Sequence, residues 1–267
     1  MNRKIRNLLY EKDVLGVDVN SNQLVKIHLS ILKKKKLLNS AFKTFYKDMS
    51  KICDQYFSVD GLEIELGSGV GFFKEIRKNI LTSEFQRKGI NYDLELDATN
   101  LNLDNNSIRC IYGINVFHHI PYPTKFFDEL IRVLKNNGGC ILIEPHNGFF
   151  SRVLHKNLHN DEYFDTNKVE WDNNKSFGPL ANANQAQAHN IFVRDIELFN
   201  KKYGESLKIV HEQYEINGLR YFFSGGLNFK QFLPSFLNSF LKIVEVLFSP
   251  FAKYWTPYKM IVIKRIK

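Results

Sequence analysis

Apolar and polar positions along the chain change period several times, and each change marks an expected element. From about Gln23 to Phe45, Leu24, Ile27, Ile31, Leu37, Leu38 and Phe42 recur at helical spacing, and Tyr46, Ile52 and Tyr56 continue the stripe. One or two helices are therefore expected there, after an irregular arm over residues 1–20. Short apolar runs bounded by turn residues then predict strands near 61–66, 79–83, 91–96, 108–114 and 139–144, with helices near 71–78 and 124–135. Such alternation predicts an α/β fold with a mostly parallel sheet and helices on both faces. Phe126, Phe127, Leu130, Ile131 and Leu134 form one apolar stripe and are expected in the core. Beyond Glu144 the rhythm stops until about Phe192. That gap is too long for a plain connection and predicts a lid inserted after the fifth strand. A helix over 192–203, a strand over 206–214, an aromatic strand or loop over 218–226, a helix over 229–251 and a last strand over 259–264 complete the reading. Lys242 and Glu245 interrupt the last helix, which is expected to pack on the core as an amphipathic element and not to span a membrane.

The chemistry concentrates at the first predicted strand. Leu62 to Leu66 runs into Gly67, Ser68, Gly69, Val70 and Gly71, and the pattern then turns helical. A strand, a glycine turn and a helix start make a site for a nucleotide-like ligand, because the backbone can lie directly against it. The glycine spacing differs from the dinucleotide fingerprint, and Glu65 stands two residues before the first glycine. A carboxylate there repels a pyrophosphate and suits a ligand carrying an ammonium and a sulfonium. Glu84 ends the second strand about 20 residues on, where an acid can accept ribose hydroxyls. Asp97 and Ala98 end the third strand, Asn115 the fourth and Glu144 the fifth. Ligands of parallel sheets bind at that edge.

The motif Glu65, Gly67, Gly69, Gly71, followed in order by these strand ends, resembles the class I S-adenosylmethionine-dependent methyltransferases. The resemblance implies a Rossmann-like class I methyltransferase fold with S-adenosyl-L-methionine as cofactor. It implies cofactor contacts from Glu65, Gly67, Ser68, Gly69, Gly71, Glu84, Asp97, Ala98 and Asn115, with Asp97 set against the adenine amino group. Further segments, among them Leu158–Asp165, Gly178–Gln185 and Tyr221–Gly226, resemble a bacterial subgroup associated with surface-polysaccharide pathways. Two departures are Glu84 in place of a more usual Asp, and Asn136-Asn137 where a proline is expected. Four regions follow: a helical arm over 1–58, the cofactor core over 59–145, the lid over 146–190 and a C-terminal completion of the sheet over 191–267.

Composition changes the picture little. Three cysteines without metal or disulfide spacing point to a reducing, cytoplasmic setting, and Cys110 and Cys140 read as buried packing. The formal charge is +9, but no basic stripe interleaved with aromatics predicts nucleic-acid binding. An anionic acceptor or peripheral contact with an anionic membrane surface explains the excess equally well. The Lys33–Lys36 run reads as a solvated helix face, and His28 as a structural histidine.

Metal is not expected, since His118 and His119 are adjacent and should diverge. The acceptor is expected to be a small molecule or glycan, with oxygen of a sugar or related hydroxyl methylated. A hydroxyl acceptor calls for a general base, and His119 and His159 are the favoured candidates. The lid mixes hydroxyl-recognising groups such as Glu162 and Asn184 with flat faces such as Trp171, a mixture that suits a sugar. A quinone or lipid C-methyltransferase, or a non-catalytic cofactor-binding module, stands as the alternative.

Overall fold

A computed structural model describes residues 8–18, 21–70, 72–86, 91–149, 152, 162–173 and 183–267. Gly71, His159 and parts of the expected lid lie outside the described residues.

Two helices open the described chain. Helix α1 (Asn22–Lys34) starts at Ser21, whose hydroxyl accepts the Leu24 N–H at 3.2 Å as an N-cap. Helix α2 (Lys36–Tyr56) follows after a break at Lys35, which takes an extended conformation. The lysine run is therefore not a uniform solvated face. Lys33, Lys34 and Lys36 are exposed, but Lys35 is buried and donates to the Gly226 carbonyl at 3.0 Å while pairing with Glu11 at 2.9 Å. A buried ammonium needs such partners, and they tie the helix pair to the N-terminal arm and to the C-terminal third. His28 is structural as expected, bonded to Asn228 at 3.0 Å.

The described residues form a seven-stranded sheet: β1 (Leu62–Leu66), β2 (Leu81–Glu84), β3 (Leu94–Glu95), β4 (Ile108–Ile114), β5 (Leu134–Pro145), β6 (Leu207–Tyr214) and β7 (Tyr258–Arg265). Their order is β3-β2-β1-β4-β5-β7-β6. β7 runs antiparallel to both neighbours, and the other pairings are parallel. Side-chain alternation along β4 and β5 builds two cores. Ile111, Cys140 and Leu142 face helices α3 (Pro123–Val133) and α4 (Ile196–Tyr203), joining Phe126, Phe127, Leu130 and Phe199. Cys110, Tyr112, Ile141 and Ile143 face α2, joining Phe45, Met49 and Phe57. All three cysteines are buried free thiols.

Several expected elements differ. The helix expected at 71–78 is a single tight turn over Phe72–Glu75, and the strand at 91–96 shrinks to Leu94–Glu95 at the sheet edge. Residues 218–226 are not a strand or loop but helix α5 (Gly218–Ser224), ended by Gly225 and Gly226 at positive φ. Their aromatic run reads as β-prone, yet packing decides: Asn217 donates to the Ala41 carbonyl at 2.8 Å and Arg220 reaches Ser40 and Thr44 on α2. The helix expected over 229–251 is regular only as α6 (Asn238–Leu247), because extended Pro234 closes the loop before it.

Candidate active site

The carboxyl ends of β1, β2, β4 and β5 open on one edge, and tight turns fix what each contributes. After β1 the chain turns through Gly67 (φ +58°) and Gly69 (φ +55°). At Gly67 a Cβ would stand 2.7 Å from the Val116 side chain, so glycine lets the turn pack against the loop after β4. At Gly69 the nearest atom to a Cβ would be the Gly67 carbonyl, 4.0 Å away. That side of the turn is an open cradle. Glu84 Oε1 accepts the Gly69 N–H at 2.7 Å, and the Tyr92 hydroxyl donates to the Gly69 carbonyl. Ser68 is spent on the turn itself, donating to the Glu65 carbonyl at 3.0 Å and accepting from Ser83.

Glu65 is buried, and its Oε2 has no hydrogen-bond partner. Burial is the main reason its carboxyl is pushed up to about 8; donors from Tyr46 and Ser68 pull it down, and repulsion from Glu84 adds to the rise. A buried oxygen without a donor, beside an open glycine turn, fits a cation placed there. Asp97 is exposed and closes its own turn, accepting the Thr99 N–H at 2.8 Å, with Ala98 half-buried beside it. Asn115 adopts φ +55°, donates from Nδ2 to the Tyr258 hydroxyl at 3.3 Å, and leaves a buried Oδ1 without a partner. Seven of the expected cofactor residues, Glu65, Gly67, Ser68, Gly69, Glu84, Asp97 and Asn115, thus stand at strand ends or in the turns that follow them.

A second group gathers after β4. Phe117–His119 forms one helical turn, which keeps the two imidazoles together with ring centres 4.2 Å apart. The expectation that adjacent histidines diverge is wrong for this turn. Glu144 holds the turn from β5: Oε1 accepts the Val116 and Phe117 N–H groups at 2.9 and 2.8 Å, and Oε2 meets His118 Nδ1 at 2.5 Å. Burial opposes charging of His118, but the Glu144 carboxylate, aided by Glu162, holds its pKa above the ordinary histidine value. His119 Nε2 lies 3.5 Å from Glu162 Oε1. Ligand atoms of His118, His119 and Glu162 all fall within 4.8 Å of one another, a grouping the sequence reading did not foresee.

The described part of the lid is knit to this turn. Gln187 donates to the carbonyls of Phe117 and Ile120 at 2.8 and 3.1 Å, and Gln185 donates to Glu162. Two residues expected to recognise an acceptor do other work. Asn184 Oδ1 accepts from the N–H groups of Asp165 and Ala186, and its Nδ2 donates to the Asp165 carbonyl at 2.9 Å. Trp171 is buried against α3, with its indole donating to Asp195 at 2.9 Å. Tyr46, Tyr92 and Tyr258 are site-edge residues that sequence reasoning did not single out as such. Only the period-2 run of β7 could have flagged Tyr258 as a strand residue.

Residues 64–142 match the family model described as a methyltransferase domain. Those residues carry a methyltransferase domain. The sheet order and the antiparallel β7 complete a Rossmann-like class I methyltransferase fold. No curated protein matches the chain. Among solved structures, a methyltransferase from Aquifex aeolicus is similar at 14% identity, covering 82% of this chain and 89% of that one, with a TM-score of 0.41. A methyltransferase from Thermotoga maritima is similar at 15% identity, covering 91% and 100%, with a TM-score of 0.48. A Haemonchus contortus N-methyltransferase holding phosphomonomethylethanolamine and S-adenosylhomocysteine is similar at 10% identity, covering 82% and 52%, with a TM-score of 0.40.

Proposed function

We propose that the methyltransferase methylates oxygen of a sugar or related hydroxyl acceptor, in the assembly of a surface polysaccharide. The observation that carries this reading is the imidazole–carboxylate group after β4, because an alcohol is a poor nucleophile until its proton is taken. S-adenosylmethionine supplies the electrophilic methyl group on its sulfonium. Glu65 would meet the cofactor's cationic amino-acid end, with Gly67 and Gly69 beneath it. Glu84 would accept a ribose hydroxyl, and Asp97 and Ala98 would border the adenine. Asn115 and Tyr258 would bound the space beside the transferred methyl.

Within that frame His119 accepts the hydroxyl proton. Glu162, 3.5 Å from Nε2, steadies the resulting imidazolium. His118 does not compete for the role, since Nδ1 is engaged by Glu144 and the ring is buried. Instead it pins the turn that aims His119. The polysaccharide assignment leans on the resemblance of residues 158–165, 178–185 and 221–226 to polysaccharide-associated methyltransferases.

Labelled-methyl transfer to nucleotide-activated sugars and oligosaccharides tests the reading, with quinone precursors and phosphoethanolamine as the contrasting panel. Wild-type protein should label a sugar, and His119→Ala should lower kcat by about 10²-fold or more while S-adenosylhomocysteine affinity holds. A chelator should leave the rate unchanged. Transfer confined to quinone precursors, or an inactive chelated protein restored by a divalent cation, would reject this assignment; the second result would make His118, His119 and Glu162 a metal site.

A further inference from the structure

Helix α6 is built inside out. Leu241 and Glu245 are buried, and Glu245 pairs with Arg220 of α5 at 2.6 Å. Phe240, Ile243 and Leu247 are 59–69% exposed on the same helix. A helix covering a soluble core shows the reverse pattern. Phe236 before it is 81% exposed, and Phe248 and Phe251 after it are 53% and 58% exposed. Single exposed apolar side chains need no explanation, but a contiguous run marks a surface that meets something. Among the described residues no single helix is long and apolar enough to cross a membrane; Ser235–Leu247 and Ser249–Trp255 meet at 61°.

A cationic cleft adjoins this run. Lys33, Lys36, Lys43 and Lys47 line it together with Lys242 of α6 itself, around a volume of about 320 Å³. Its remaining lining is Asn39, Ser40 and Thr44, with no carboxylate. Ammonium groups gathered this closely repel one another and favour an anion among them. No residue of the candidate active site lines the cleft.

One helix therefore offers phenylalanines and a lysine cleft side by side. Nucleic acid would satisfy the lysines and leave the apolar run in water. A second copy packed about a two-fold axis would set lysine against lysine. A bilayer rich in anionic phospholipid satisfies both, with apolar side chains at the acyl boundary and lysines among the phosphates. We infer that this face docks the methyltransferase on an anionic phospholipid membrane surface. The inference does not depend on which acceptor is methylated.

Vesicle flotation of the full chain tests it, comparing phosphatidylcholine with phosphatidylcholine containing about one part in three phosphatidylglycerol. The protein should float with the anionic vesicles only, and less at high salt. Lys43→Glu combined with Lys242→Glu should weaken binding by roughly tenfold or more, as should Phe240→Ser combined with Leu247→Ser. S-adenosylhomocysteine affinity, unchanged in both variants, shows that they are folded. Failure of folded wild-type protein to float overturns the inference. So does equal binding to neutral vesicles, binding of glycerol phosphate in solution without vesicle binding, or a dimer that the Phe240 variant dissociates.

Discussion

Glu65 should make binding of the cofactor product S-adenosylhomocysteine depend on pH, in a direction that can be worked out beforehand. With no cation beside it, burial raises its carboxyl to about 8, so most molecules at neutral pH carry the neutral acid. The product brings an ammonium group, and that cation needs the ionised carboxylate. Binding below pH 8 must then expel a proton. Affinity should fall about tenfold, or about 1.4 kcal/mol, for each pH unit below 8, and level off above it. At pH 7 about 0.9 proton should leave per product bound. Titration calorimetry in two buffers of unlike ionisation enthalpy reads that number directly, and Glu65→Gln should abolish both the release and the slope. Stability carries the opposite mark. Because the folded pKa is raised, the contribution of Glu65 is fully present below its ordinary 4.5 and is lost as pH rises through about 8. Product should therefore protect the protein more at pH 8 than at pH 6. Equal affinity at pH 6 and 8, with no proton released, would refute the placement of a cation against Glu65.

Two further outcomes are expected. Gly69→Val should abolish product binding, because the branch projects into the open side of the turn, while its positive φ costs about 1–2 kcal/mol of stability; calorimetry and urea unfolding separate the two, and unchanged affinity would mean the glycine serves the turn alone. Glu245→Ala should destabilise the fold by about 3–5 kcal/mol in urea unfolding, since it strands buried Arg220, and Arg220→Met with Glu245→Leu should recover most of that; a loss below about 1 kcal/mol would show the pair to be dispensable.

The centre of the sheet was legible because β4 and β5 are buried on both faces over most of their length. Runs such as Ile108–Ile114 and Cys140–Ile143 can be little else between turn residues, and the order of strand ends followed from the parallel rule. Where packing outvotes local preference, reading failed. Tyr221, Phe222 and Phe223 look β-prone and are helical because Asn217 and Arg220 bind the backbone and hydroxyls of α2, some 180 residues away in sequence. Lys35 could not be told from its neighbours, since only the break between α1 and α2 turns it inward. The tight turn after β1 was readable from glycine spacing. The partners of His118 and His119 were not, because Glu144 and Glu162 reach them from different segments and no local pattern encodes that meeting. Asn184 and Trp171 misled for a related reason: residue types that recognise sugars also hold loops together.

Charge is divided within this chain, and the division bears on both proposals. The net charge of +9 describes no single surface. Glu65, Glu84, Glu144 and Glu162 gather at the sheet edge, three of them drawn from strands or the turns they hold, while lysines collect on the outer faces of α1, α2 and α6. Carboxylates concentrated where strands end, with Glu65 ionising as a cation arrives beside it, would attract a sulfonium and an ammonium and repel free nucleotides, which agrees with the glycine spacing. An anionic sugar nucleotide would meet that same edge unfavourably unless its phosphates stayed outside it, over the basic helices. If the acceptor is the proposed hydroxyl, that group would have to enter alone, with any phosphate held away from Glu162. A neutral sugar at the end of a longer chain meets that condition better than a compact sugar phosphate does.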